Sequence, residues 1–337
     1  MVSRLSVSAV AGLSLGLLVQ GAAAQEVSLV YATVAGPGTH ANRILYHPWA
    51  EKINRDGKGV VRLEIKDGFA LANHGNVYGR VQDDVVQVAF MLQNAGGKQF
   101  QRSAVGGLPF FADDPTNAST ALWQTYASGV LEPEYRDIVP LVLIVFPQSG
   151  VHTAKPLASP ADVKGLKLVV LGALQSRVAT QLGAVPISIP ISNMYEAIQR
   201  GTADGAIASW TTFNPFKLGE VTSYHVEASL GTSTAMLFMS KKRFAALPEA
   251  AQKVLLANAG EQMSKKFGAY FAEEMSETRD KVKATAGNAV VELTAEQREA
   301  WRQLGKPVID DFKTSVPNGE KIVAQFESDL ARLRDGK

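Results

Sequence analysis

Short apolar segments alternate with helix-like segments through the first two thirds of the chain, and this alternation restricts the fold most. Residues 27–34 and 60–65 have the pattern of strands, and residues 40–54 between them repeat apolar side chains at helical spacing. The alternation returns between residues 159 and 209, where Pro and Gly mark the ends of the elements. This order predicts an α/β fold with mixed or parallel sheets.

The last third of the sequence differs in character. From residue 247 onward it is rich in Ala, Glu, Gln and Lys, which predicts one long helix to about residue 286. Two shorter helices are predicted to begin near Thr294 and Asn318. A length of 337 residues suits two domains. Since no low-complexity linker separates the two α/β units, we expect two lobes joined by crossing strands around a cleft.

The N-terminus has the three parts of a secretory signal peptide. Arg4 precedes an apolar stretch over residues 5–19, and small residues follow at positions 21–24. The stretch is too short, and too diluted by Ser and Gly, to span a bilayer. We therefore expect cleavage after Ala24 and a soluble mature protein in the periplasm.

Composition narrows the chemistry further. The balance of 34 basic and 32 acidic residues gives no reason to expect nucleic acid as a partner. The absence of Cys excludes disulfides, thiolate metal clusters and cysteine nucleophiles. The five His residues have no zinc-binding spacing, and we find no Ser-His-Asp arrangement built on a nucleophile elbow in the mature chain. The sequence predicts neither a metal site nor a catalytic site.

Residues 36–41 match G-x-G-x-x-A between a predicted strand and a predicted helix. This is the pattern of a dinucleotide-binding loop. A lone match is weakly specific, and an exported protein encounters little nicotinamide cofactor. We therefore expect no cofactor.

Aromatic residues stand at or just after the ends of predicted strands, among them Phe90, Trp210 and Phe213. Ligands of open α/β sheets bind beyond the carboxyl ends of the strands, where large rings can line an apolar pocket. Two interpretations stay open, because the same rings could be ordinary core side chains.

Several separated motifs share the order of one known family. They are Lys164–Leu168 (KGLKL), Leu182–Pro186 (LGAVP) and Tyr195–Gly205, with further similarity over residues 46–53, 81–86 and 107–111. Together they resemble the substrate-binding proteins of TRAP transporters, of the DctP (C4-dicarboxylate-binding) type. The spacing from Asp204-Gly205 to Trp210 is similar to the branch that binds aromatic or hydrophobic carboxylates. The resemblance implies a two-lobe periplasmic binding protein, type II-like, with a central cleft, crossing strands and a long helix spanning both lobes.

The resemblance also implies a function. Such receptors close on a small organic acid and deliver it to the subunits of a membrane permease. The implied division is lobe I over residues 25–147 plus about 234–270, and lobe II over residues 148–233 plus about 271–337. Two alternatives stay open: a receptor-like sensor or interaction protein with an altered ligand, and an exported hydrolase.

The implied binding site departs from the family pattern at two positions. An Arg that grips the ligand carboxylate usually follows the GLK-(I/L) motif, but Val169 stands there, and Ala173 replaces a second Arg of the related branch. Arg177 is the nearest basic replacement, or else an ordinary surface residue. The predicted ligand-binding residues are Phe90, Gln93, Asn94, Gln148, His152, Val169, Ala173, Arg177, Ser209, Trp210 and Phe213.

Overall fold

A computed structural model describes residues 25–33, 36–68, 70–157 and 159–335. The predicted signal peptide, residues 1–24, lies outside this part of the chain. Within the described ranges, none of the helices combines the length and the apolar character that crossing a bilayer requires.

The first sheet carries the larger hydrophobic core. Its strands are β1 (Val27–Ala32), β2 (Val61–Lys66), β3 (Val88–Leu92), β4 (Ile138–Val145) and β10 (Thr234–Ser240). Their order is β2-β1-β3-β10-β4; β1 runs parallel to β2 and β3, and β10 runs antiparallel to β3 and β4. Strand β10 comes from much later in the chain than its neighbours, so the polypeptide enters this sheet twice.

The second sheet has six strands. They are β5 (Gly150–Thr153), β6 (Lys167–Val170), β7 (Val185–Ser188), β8 (Gly205–Ala208), β9 (Tyr224–Glu227) and β11 (Ala289–Glu292), in the order β11-β9-β5-β8-β6-β7. Strand β6 is parallel to β7 and β8, whereas β5 is antiparallel to β8 and β9. Separate hydrophobic clusters pack on its two faces.

Twelve α-helices cover the two sheets within the described residues. They are α1 (His47–Asp56), α2 (Val77–Gln82), α3 (Pro115–Ala127), α4 (Glu132–Tyr135), α5 (Ala173–Gln181), α6 (Met194–Gln199), α7 (Phe213–Phe216), α8 (Lys241–Ala245), α9 (Glu249–Ala257), α10 (Glu261–Ala284), α11 (Ala295–Ser315) and α12 (Gly319–Arg334). A short π-helix, Asn42–Tyr46, leads into α1. The mixed α/β class predicted from the sequence is confirmed.

The chain crosses between the lobes at residues 146–149 and 229–233, and residues 107–110 of the first lobe bond to the second of these crossings; we call the three stretches the hinge segments. The amide of Ser149 donates to the Gly231 carbonyl (3.1 Å), and the amide of Thr232 donates to the Gly107 carbonyl (2.9 Å). A Cβ atom at Gly107 would lie 2.2 Å from the Thr232 carbonyl oxygen, so the close approach of these strands requires glycine.

Helix α10 contacts both lobes. Gly268 lies against α3, where an added Cβ would be 2.4 Å from the Pro115 carbonyl oxygen. Nearly three turns later, the Thr278 hydroxyl accepts a hydrogen bond from the Asn214 side chain (3.2 Å). The predicted long lobe-spanning helix is therefore present.

The structure differs from the elements predicted from the sequence in one helix and in three strands. The single helix expected from residue 247 to about 286 is divided at Asn258–Gly260, where Gly260 adopts a positive φ of 89° and the Asn258 side chain bonds to Asp56 (2.9 Å). Strands β5, β9 and β11 were not predicted, because their four-residue segments have too little alternation of apolar and polar residues to stand out.

Candidate functional site

Four rings meet at the end of β8 and form what we call the aromatic cluster: His152, Trp210, Phe213 and His225. The ring centroids of His152 lie 4.8 Å from those of both Trp210 and Phe213, and Trp210 and Phe213 lie 4.7 Å apart. All four side chains are buried. The structure thus brings together three of the predicted site residues and adds His225.

The two histidines of the cluster are bonded to each other. Their Nδ1 atoms are 3.1 Å apart, His152 Nε2 lies 3.0 Å from the Ala208 carbonyl, and His225 Nε2 lies 3.0 Å from Asn288 Oδ1. Burial, with a smaller effect of His225, lowers the pKa of His152 to about 3, and burial also lowers the pKa of His225. Both rings are therefore neutral at pH 7, and both nitrogens of His152 already have protein partners.

The polar side-chain atoms of Gln148 and Ser209 also form hydrogen bonds within the protein. The Gln148 amide donates to the Leu108 carbonyl (3.2 Å) and accepts from the Gly231 amide (2.8 Å), so this side chain ties the three hinge segments together. The Ser209 and Thr211 hydroxyls lie 2.6 Å apart. Gln148 is thus a hinge residue in this structure.

The predicted residues of the first lobe separate into two groups. Phe90 lies in the middle of β3, not at its end, and packs edge-on against Tyr46, with ring centroids 5.4 Å apart. Gln93 lies elsewhere: its side chain is buried and donates to the Tyr135 hydroxyl (2.7 Å) inside the first lobe. The structure therefore does not bring Gln93 to the aromatic cluster, because its amide is held by Tyr135.

Asn94 joins the two lobes directly. Its side-chain amide donates to the Leu171 carbonyl in the turn after β6. The next residue, Gly172, has a φ of 151°, and a Cβ there would lie 3.3 Å from the Asn94 amide nitrogen. A glycine at this position therefore leaves space for the contact between the lobes.

The three positions linked to the missing arginines have different surroundings. Val169 is fully buried in the same hydrophobic cluster as Trp210 and Phe213. Ala173 is exposed at the start of α5. Arg177 forms an ion pair with Asp311 of α11 and keeps 53% of its side chain exposed, so in this structure it is a surface residue and does not replace the missing cation.

Glu274 is a buried acid at the lobe junction that the sequence analysis missed. It is 7% exposed, and among the described residues it has no hydrogen-bond or ion-pair partner. Burial, and then the nearby Glu277 carboxylate, raise the pKa of Glu274 to about 7. The periodicity of α10 could have found it, because Phe267, Phe271, Glu274 and Thr278 recur on one helix face.

Polar aromatic residues surround this acid. Burial raises the pKa of the Tyr46 hydroxyl, and Glu274 is the next largest cause of that rise. Burial and Glu274 also raise the pKa of Tyr270, whose hydroxyl lies 2.9 Å from His40 Nδ1. The described residues contain no group of three or more His, Cys, Asp or Glu side chains able to hold a metal ion.

The chain matches the family described as "Bacterial extracellular solute-binding protein, family 7" (DctP) over residues 31–315. It belongs to this family of solute-binding proteins, which are binding proteins of transport systems. The expected resemblance and the expected two-lobe binding-protein fold are confirmed.

Two relatives illustrate the similarity in sequence. The chain is 28% identical over 245 residues to the Outer membrane transporter protein TsaT of Comamonas testosteroni, which covers 71% of this chain and 72% of that protein. It is 26% identical over 297 residues to a solute-binding protein of Albidiferax ferrireducens, covering 85% and 86% of the two chains.

Solved structures of TRAP solute-binding proteins have the same fold. One from Rhodoferax ferrireducens T118, in complex with copurified benzoate, has a TM-score of 0.85 and 24% identity and covers 92% of this chain and 99% of its own. One from Bordetella bronchiseptica, with bound (R)- and (S)-mandelate, has a TM-score of 0.81 and 25% identity, covering 91% and 99%.

Proposed function

We propose that this chain is the periplasmic receptor of a TRAP transporter and that it binds a small aromatic or hydrophobic carboxylic acid. The solved structures that it resembles hold benzoate and mandelate. A third, from a marine metagenome, holds 3-hydroxybenzoate and has a TM-score of 0.85. All three ligands combine an aromatic ring with one carboxylate.

The observation that carries the proposal is the chemistry of the aromatic cluster. Trp210 and Phe213 offer apolar ring surface beside two neutral histidines. Among the described residues, no Lys or Arg forms a hydrogen bond or an ion pair with a side chain of the cluster. Such a site favours a ligand with a large apolar part and a single charge over a dicarboxylate.

We propose lobe I as residues 25–147, about 234–270 and 319–335, and lobe II as residues 148–233 plus about 271–318. The division expected from the sequence assigns all of residues 271–337 to lobe II. Helix α12 belongs instead to lobe I, because it packs on α3, and Phe326 and Leu330 lie in the core of the first sheet. Closure of the cleft would rotate the lobes about the hinge segments, as in other periplasmic binding proteins.

Export and delivery complete the proposal. Signal cleavage after Ala24 would release the mature receptor into the periplasm. The loaded, closed receptor would then dock on the permease subunits of the transporter.

A thermal-shift screen of the mature protein tests the ligand class. Benzoate, mandelate and 3-hydroxybenzoate should raise the melting temperature, because a ligand of the native state stabilises it by mass action. Trp210→Leu should reduce this shift, whereas Trp123→Leu, on α3 of the first lobe, should leave it unchanged. A shift with sugars or amino acids only, or turnover of ester or glycoside substrates, would contradict the receptor that we propose.

A further inference from the structure

Glu274 lies on the lobe-spanning helix α10 between a contact to a hinge segment and a contact to the second lobe. Three residues before it, Phe271 packs on Phe146 of a hinge segment, with ring centroids 4.6 Å apart. Four residues after it, Thr278 bonds to Asn214 of the second lobe. Residues three and four apart share a helix face. Glu274 therefore faces inward between the hinge and the second lobe.

Among the described residues, no cation forms an ion pair with this carboxyl. The groups that face it are Tyr46, from the π-helix before α1, and Tyr270 and Glu277, from its own helix. Residues 210–212 of the second lobe also pack on α10 and carry no charge. Arg43 acts on Tyr270 and is not bonded to Glu274. Burial without a partner is costly for a carboxylate, so the neutral acid is favoured.

A neutral carboxyl has one property that a carboxylate lacks: its O–H can donate a hydrogen bond. The receptor lacks the arginines that would hold a ligand carboxylate at positions 169 and 173. A ligand anion brought between the lobes needs a donor, and a hydrogen bond between an O–H and a carboxylate is among the strong ones.

We propose that protonated Glu274 donates a hydrogen bond to the carboxylate of the bound ligand, so that the receptor takes up its acid as an anion together with one proton. The inference rests on the function proposed above and identifies the group that replaces the missing arginines. No covalent bond changes, since the proton stays shared between the two carboxyl groups. Above pH 7 the Glu274 carboxyl of the free receptor has lost this proton. Binding of each anion then requires the receptor to take up one proton from the solvent.

Titration calorimetry with benzoate between pH 6.5 and 8.5 tests the inference. An ordinary carboxylic acid titrates at about pH 4, so benzoate stays ionised over this whole pH range. Both histidines of the aromatic cluster, with lowered pKa values, stay neutral. We expect affinity to fall about tenfold per pH unit above pH 7, as the loss of one bound proton requires. Heats measured at pH 8 in phosphate and in Tris should report uptake of close to one proton per ligand.

Substitutions test whether Glu274 is the residue that takes up the proton when benzoate binds. Glu274→Gln keeps a donor but cannot titrate, so its affinity should be independent of pH and its proton uptake should vanish. Two controls should behave as the wild type: Glu273→Gln, an exposed neighbour on the same helix, and His40→Gln, the histidine bonded to Tyr270.

The outcomes are distinct. Benzoate binding that is independent of pH in the wild type, without proton uptake, would overturn the role of Glu274 and leave the receptor function intact. Affinity that rises with pH would overturn it as well, because the ionised carboxylate would then be the binding form. Failure of every aromatic acid to bind at any pH would instead reject the proposed function. If Glu274→Gln does not fold, proton uptake by the wild type at pH 8 still decides.

Discussion

The Nδ1 atoms of His152 and His225 lie 3.1 Å apart inside the second lobe. His152 Nε2 donates to the Ala208 carbonyl, so His152 Nδ1 must accept the hydrogen carried by His225 Nδ1. Adding a proton to His152 would set two N–H groups against each other in a buried site. This arrangement, together with burial, favours the neutral form of His152. The contact of His225 Nε2 with Asn288 Oδ1 favours the charged form of His225, but burial outweighs it and lowers the pKa of His225.

The histidine pair should make the protein less stable in mild acid. The folded-state pKa values are lowered, so below about pH 6.5 the unfolded chain binds protons that the folded one does not, and stability falls as pH falls. His152 alone costs roughly 1.4 kcal/mol per pH unit between about pH 6.5 and its folded-state pKa of about 3. Urea unfolding of the wild type and His152→Phe at pH 7.5, 6 and 5 should show a weaker pH dependence in the variant. Equal slopes would mean that His152 is protonated in the folded state.

Removal of the Gln148 side chain should loosen the hinge. Gln148→Ala leaves the buried Gly231 amide without its acceptor and Leu108 without a donor, which should cost about 2 kcal/mol of unfolding free energy. Urea unfolding measures this loss. Gln303→Ala, on the exposed face of α11, should change stability by less than about 0.5 kcal/mol. Similar values for both variants would show that the Gln148 bonds contribute nothing measurable.

The Asn94 contact should favour the closed arrangement of the lobes. Asn94→Ala removes its bond to the Leu171 carbonyl, and one hydrogen bond is worth about 1 kcal/mol, so affinity for the ligand should fall several-fold. The melting temperature of the unliganded protein should barely change, because Asn94 is exposed. Calorimetry with benzoate measures the effect, with the exposed Lys98→Ala as the matched control. An unchanged affinity would show that this bond plays no part in closure.

Restoring a cation at position 169 should strengthen carboxylate binding. Val169 shares a cluster with Trp210, so the guanidinium of Val169→Arg would lie beside the proposed ligand wall. We expect affinity for benzoate to rise about tenfold or more, together with a loss of stability from burial of the charge. Val185→Arg, on the exposed side of β7, should affect neither. If Val169→Arg binds every carboxylate as the wild type does, position 169 lies outside the binding cleft.

Much of the fold was accessible from the sequence because its elements are long or clearly punctuated. Residues 159–209 were assigned almost element by element, since Pro, Gly and Asn mark their ends. The helix break before α10 escaped prediction because it depends on Asn258, whose side chain bonds to Asp56, about 200 positions earlier in the chain. Tertiary contacts of this kind leave no local pattern.

The site was predicted less completely, for a physical reason. Strand ends indicate which residues lie near a cleft, and this indicated Trp210 and Phe213, whose rings lie 4.7 Å apart. The sequence does not reveal which partner a polar side chain finds: Gln93 bonds to Tyr135, and Arg177 pairs with Asp311. Glu274 was overlooked because a Glu in a charged helix ordinarily faces solvent.

The close packing of Gly268 on α3 has a mechanical consequence. Helix α10 has 24 residues and is continuous, so at about 1.5 Å per residue it extends across both lobes as a single rod. Its first half is clamped, since even a methyl group at Gly268 would collide with Pro115. Thr278 in its second half is bonded to Asn214 of the second lobe, so rotation of that lobe must bend this half of the helix or break the bond. Bending would strain the helix on ligand capture, and release of that strain would favour the open shape of the empty receptor.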